Sequence, residues 1–169
     1  MYISLSTNVI TDTAHSMAAF HLITCPDDQR GVLAPLLDPD RRGLFTAHVR
    51  NAFASLVADL LPFVTDCHLS EECAALHPDS MPPEGPVNDD LMSLEIDVAT
   101  RAGDSIGWVL RRQMEEIIAM RALATLTLGA QPDKGASQRL SDAFERRANA
   151  ALSILKGMIA PPLTRPFVR

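Results

Sequence analysis

LMSLEIDVATRAGDSIGWVLRRQMEEIIAMRALATLTLG, residues 91–129, changes its hydrophobic period part-way along. Met92, Leu94, Ile96 and Val98 alternate with Ser93, Glu95, Asp97 and Ala99. A period of two is what a strand shows when it buries one face and wets the other. After a short turn, TRAGDS, the period becomes helical: Ile106, Leu110, Met114, Ile117, Ala124 and Leu128 fall on one side at about 100° per residue. Arg112, Glu115, Glu116 and Ala119 lie opposite, which predicts a wet face there. From Ala119 onward the helix is apolar on nearly every side, so its second half should be packed from several directions. This helix is the expected central post of the domain, with Gly129 suited to a left-handed position just past its end.

The flanking sequence supplies the companions. Residues 1–24 read as a short extended lead, MYISLS, and a helix capped by Ser6 or Thr7, with Ile10, Ala14, Met17 and His21 in one stripe and Val9, Thr13 and Phe20 beside it. Pro26 and Gly31 break that helix, and VLAPLL forms a helical turn or an apolar loop. Asp38-Pro39 starts a second helix, an N-cap oxygen with proline at the first helical position, running to about Val64. Its buried face is Phe45, Val49, Ala52, Phe53, Leu56, Val57 and Leu60. Residues 66–76 are open between strand and helix. We read them as a strand pairing with 91–98, joined to it by the proline-rich loop HPDSMPPEGPVNDD, which propagates neither helix nor ladder. A last helix begins near Ser137, with Leu140, Phe144, Ala148, Ala151, Leu155 and Met158 stepping by three and four until Pro161 and Pro162 stop it. The expected architecture is mainly α, of the α+β class: a bundle of about four helices with a small β-hairpin carrying a long loop. It forms one domain over residues 1–160 with the hairpin inserted around 66–98, and residues 161–169 make an extended C-terminal arm.

At 169 residues the chain is long enough for one real core, and with 47% hydrophobic and only 5% aromatic residues that core must be aliphatic. No apolar run approaches the ~20 residues that span a bilayer, and no membrane association is expected. The N-terminal sequence has no basic region followed by an apolar core, so the expected product is untargeted, cytoplasmic or virion-associated. Three irregularly spaced cysteines read as reduced thiols. A net charge of −6 argues against direct nucleic-acid binding through phosphate neutralisation. The distribution of charge is uneven. Acids crowd between Asp66 and Asp104 against the single base Arg101, whereas bases prevail from Arg111 to Arg169. Either the two segments are differently solvated faces, or the acidic middle meets the basic end within or between subunits.

Three constellations invite chemistry. Gly103-Asp104-Ser105-Ile106-Gly107 is a G-x-S-x-G between a predicted strand and helix, as in a serine hydrolase's nucleophile elbow. The required parallel strands are missing from the reading, however, and His15, His21, His48, His68 and His77 all precede Ser105. A helix cap at Asp104 or Ser105 explains the string, so no catalytic residue is expected. Cys67, His68, Cys73 and His77 lack the C-x₂₋₄-C knuckle of a zinc site. Asp89-Asp90 and Asp38-Pro39-Asp40 are acidic turns without a convergent third carboxylate. Neither metal nor cofactor is expected. His21 reads as a half-buried packing residue. Arg121 falls in the middle of the apolar stripe and must either snorkel to water or pair with a carboxylate, Asp59 or an acid of the hairpin. The tail PPLTRPFVR reads as a frayed end or as a docking arm whose prolines pre-extend it, with Phe167 and Val168 as anchors between Arg165 and Arg169.

The order of these features, DPDRRGLF, a helix ending LLPFV, the strand LMSLEIDV, the helix MEEIIAMRALATL, an alanine-rich last helix and the tail PPLTRPFVR, resembles an uncharacterised family encoded in phage-like structural gene clusters. It is similar, more loosely, to the helical head–tail connector or head-completion proteins of tailed phages. The resemblance implies a non-enzymatic phage or prophage assembly protein that forms homo-oligomers and meets other virion proteins. Such a ring needs two different complementary patches on each subunit. Candidate contact residues are Asp89 and Asp90 on the acidic side and Arg121, Arg165, Phe167 and Arg169 on the basic side. A helical adaptor that binds a cellular protein partner is the alternative function, and a small serine hydrolase using Ser105 a remote one.

Overall fold

A computed structural model describes residues 1–69, 91–97, 105–129 and 134–159. The element order is β1 (Tyr2–Ser6), α1 (Thr7–Thr24), α2 (Asp27–Leu33), two 3₁₀ turns (Ala34–Leu37 and Pro39–Arg41), α3 (Arg42–Asp59), β2 (Val64–Leu69), β3 (Leu91–Ile96), α4 (Ser105–Gly129) and α5 (Lys134–Ile159). The protein is mainly helical, with a small antiparallel sheet, which is the α+β class expected.

The sheet departs from the two-stranded hairpin. β2 and β3 do pair antiparallel, but the N-terminal lead is a third strand, and the order is β1-β3-β2. Ile3 sits opposite Leu94 and Leu5 opposite Met92, so the buried sides of two strands far apart in sequence meet on one face. Tyr2, Ser4 and Ser6 take the other face, opposite Glu95, Ser93 and Leu91. Reciprocal bonds close the end of the ladder: Met1 N donates to Ile96 O and Ile96 N–H to Met1 O, at 2.6 and 2.8 Å. A register shift between Val64 and Asp66 interrupts the β2–β3 ladder, as a bulge does. Residues 70–90, which include the proline-rich loop and the second half of the 66–76 segment, lie outside the described residues.

β1 passes directly into α1. Ser6 keeps extended backbone and its hydroxyl accepts from Val9 N–H at 3.4 Å, the capping role foreseen for it. Pro26 and Gly31 do not exclude a helix between them: Pro26 stands at the cap and α2 runs through Gly31. Asp38 accepts from Asp40 N–H and opens the 3₁₀ turn that leads into α3, and α3 ends at Asp59 rather than Val64. Phe45, Val49, Ala52, Phe53 and Leu56 bury as expected.

α4 is the central element. It packs along its length on α5 and also meets α3, α1 and β1. Ile117, Ile118, Ala119, Ala122 and Leu123 are all fully buried, so the second half is indeed enclosed on several sides. The face assigned to water needs correction. Glu115 and Ala119 are buried, because neighbours including β1 cover more of α4 than one amphipathic stripe requires. Glu115 is held there by Arg111 Nε at 3.0 Å, an i,i+4 pair, with Arg112 3.7 Å from its other oxygen. Leu128, placed on the buried stripe, is 51% exposed in the last turn. Gly129 closes α4 without a positive φ, so the left-handed position foreseen for it does not occur there. α5 starts at Lys134, a turn earlier than Ser137, and buries Leu140, Phe144, Ala148, Leu152 and Leu155.

Among the described residues, three ion pairs tie separate helical segments together: Asp12 of α1 with Arg42 of α3, Asp28 of α2 with Arg139 of α5, and Asp59 of α3 with Arg121 of α4. No helix of the described residues is long and apolar enough to cross a membrane.

Candidate functional site

α1 carries apolar residues on more than one face. Thr7, Ile10, Thr11, Ala14 and Ala18 turn inward and are buried. Val9 and Phe20 are left at 41% and 65% exposure, and Ile154 of α5 at 57%. These three side chains rim a single groove between α1, α4 and α5, with a volume of about 810 Å³. Buried Met120 and Phe144, with half-buried Met17 and Ala151, form its floor. The small side chains Ala150 and Ala151 leave α5 without bulk where a larger residue would fill the space. Isolated exposed hydrophobics are ordinary on protein surfaces; here three of them converge on one concavity.

Most polar groups of the groove are already engaged. Thr13 and Ser16 donate their hydroxyls to Val9 O and Asp12 O, both at 2.8 Å, the back-bonding habit of these residues in helices. Asp12 pairs with Arg42. Arg147 Nη1 lies 2.6 Å from His21 Nε2. Since arginine can only donate, that nitrogen must be the lone-pair side of a neutral imidazole. The His21 ring also stands edge-on to Phe144, centroids 4.8 Å apart. Burial, and then the Arg147 charge, lower the His21 pKa below its ordinary value of 6.5. His15, whose ring is tilted against Phe45 with centroids 4.3 Å apart, is lowered too, by burial first and Arg42 second, with Asp12 opposing. His21 is thus the half-buried packing residue expected. With Ser16 donating to a backbone carbonyl and His21 accepting from Arg147, the groove holds no nucleophile hydrogen-bonded to a base. Among the described residues there is no group of three or more His, Cys, Asp or Glu that could hold a metal ion. The groove is equipped to bind apolar matter, with one carboxylate to spare: Glu116 has no ion-pair partner among the described residues.

Arg121, the buried-stripe cation, resolves between its two readings in favour of pairing. Its Nη2 binds Asp59 Oδ2 and its Nη1 donates to Ser55 Oγ at 3.0 Å. The partner belongs to the same chain, so Arg121 fastens α4 to α3 and lies apart from the groove. Ser105 is the first residue of α4. Asp89, Asp90, Arg165, Phe167 and Arg169 lie outside the described residues, as do Cys73 and His77. The sequence reading therefore missed Val9, Phe20 and Ile154 as a set. The available signal was that each sits off the core stripe of its own helix. Comparison with protein-family models, with curated proteins and with solved structures finds no match.

Proposed function

We propose that this chain is a non-enzymatic assembly protein that acts by self-association, in the manner of the head–tail connectors that its order of elements resembles. The observation that carries the reading is the α1–α4–α5 groove, with Phe20, Val9 and Ile154 on its rim and a buried apolar floor. Grooves between helices take amphipathic or extended segments of other chains by burying a few anchors. The segregation of acids toward residues 66–104 and bases toward the C-terminal third supports a head-to-tail mode, because unlike patches on one subunit allow repeated heterologous contacts.

Light scattering over a concentration series tests it. The full chain should rise beyond a dimer at micromolar concentration. Phe20→Glu combined with Ile154→Glu should leave it monomeric with unchanged helical circular dichroism, since both side chains are largely exposed and contribute little to folding. A wild-type chain that stays monomeric across the series would overturn self-association. The groove would then belong to a different protein partner, as in a helical adaptor.

A further inference from the structure

We propose that the groove of one copy receives residues 160–169 of a neighbouring copy, with Phe167 in its apolar part and an arginine of the segment on Glu116. This rests on the self-association reading and names what fills the groove. The first argument is position. On α5 the groove runs from Phe144 to Ile154, and the helix continues to Ile159, its last described residue. Residues 160–169, APPLTRPFVR, therefore leave from just beyond the groove's own end. The second is direction. To enter the groove of its own subunit, the segment would have to reverse within two or three residues and run back along α5. Pro161 and Pro162 oppose this, because each fixes φ near −65° and excludes the preceding residue from the helical region, favouring an extended course. The acceptor is then the same groove on another copy.

The third argument is fit. Phe144 to Ile154 spans roughly 15 Å at 1.5 Å per residue, and the six residues 163–168 span about 19 Å in a polyproline conformation at 3.1 Å each. Leu163, Phe167 and Val168 match the apolar floor of Met120 and Phe144, and a pre-extended segment loses little entropy on docking. Charge agrees. Arg112 and Arg147 at the groove are already on Glu115 and His21, which leaves Glu116 as the carboxylate open to Arg165 or Arg169.

A complementation experiment on full-length chains reads this out. Phe167→Ala disables the segment but keeps the groove, and Phe20→Glu/Ile154→Glu disables the groove but keeps the segment. Each variant alone should be monomeric in sedimentation velocity, the first with association weakened on the order of thirty-fold, as loss of a central aromatic anchor requires. An equimolar mixture should form a dimer and nothing larger, because it contains one intact groove and one intact segment per pair. Glu116→Gln should weaken wild-type assembly about two- to five-fold. Circular dichroism and melting of each variant confirm folding. If the wild type assembles and Phe167→Ala assembles equally well, or if the mixture stays monomeric, this occupant is wrong while self-association stands. If the wild type never assembles, the parent reading has failed.

Discussion

Asp59→Ala should destabilise the fold more than Arg121→Met, although both break the same ion pair. The Arg121 side chain is 13% exposed and that of Asp59 37%. Removing the carboxylate strands a nearly buried guanidinium with Ser55 Oγ as its remaining side-chain partner among the described residues. Breaking a buried pair costs about 3–5 kcal/mol and an exposed one at most about 1, so this geometry sets the loss near 2 kcal/mol. Part of that is offset. Asp59 is the last residue of α3, where a carboxylate opposes the helix dipole by about 0.5 kcal/mol, leaving a net loss of about 1.5 kcal/mol. Arg121→Met keeps most of the buried stem volume and leaves Asp59 free to hydrate, for a loss of about 0.5–1 kcal/mol. In the double variant no charge is stranded, so its loss should be close to that of Arg121→Met alone, a coupling of about 1–2 kcal/mol. Urea unfolding at constant m measures all three, and the Asp59→Ala midpoint should fall by about 3–6 °C in a thermal scan. Equal single-variant losses, or additive ones, would refute the assignment of the cost to a desolvated guanidinium.

Two further outcomes follow from the sheet and the histidines. Leu5→Ala should cost about 2–5 kcal/mol by urea unfolding, because Leu5 is fully buried opposite Met92; a loss under about 1 kcal/mol would mean that β1 is an appendage. His15 and His21 have folded pKa values below 6.5, so just below that pH the unfolded chain binds more protons than the folded one. Melting temperature should be flat above pH 7 and fall as pH drops through 6.5. NMR should show His21 titrating below 6.5 and moving part of the way back in Arg147→Ala, since burial is the larger cause of its shift; a His21 titration at or above 6.5 would contradict the Arg147 contact.

What the sequence disclosed depended on how local the determining contacts are. β3, α4 and the caps at Ser6 and Asp38 could be read because period, turn and cap each lie within a few residues of one another. β1 could not. Ile3 and Leu5 alternate over too short a run to declare a strand, and the partner that makes them one lies beyond three helices and far along the sequence. The burial of α4 is non-local too: Glu115 looks like a solvent-facing residue on the helix wheel, but α4 meets α5, α3, α1 and β1, Glu115 is buried, and Arg111 supplies the compensating charge. Arg121 was half legible, since its place on the stripe required a partner and Asp59 was named among the possible ones.

The groove stayed hidden for a related reason. A hydrophobic stripe identifies what a helix buries against its own domain, and a residue off the stripe is conventionally set aside as exposed. Phe20 and Ile154 were such residues, one on α1 and one on α5, and neither alone signals anything. Their significance appears only when α1 and α5 are both packed on α4, so that Phe20 and Ile154 line one groove with Met120 and Phe144, and alanines 150 and 151 withhold bulk there. Those alanines can be tested for that role. A side chain such as leucine at Ala150, an exposed position, would take up groove volume while costing the fold little, so association should be lost with stability retained. If the groove were merely a packing imperfection, filling it would stabilise the monomer and leave association unchanged.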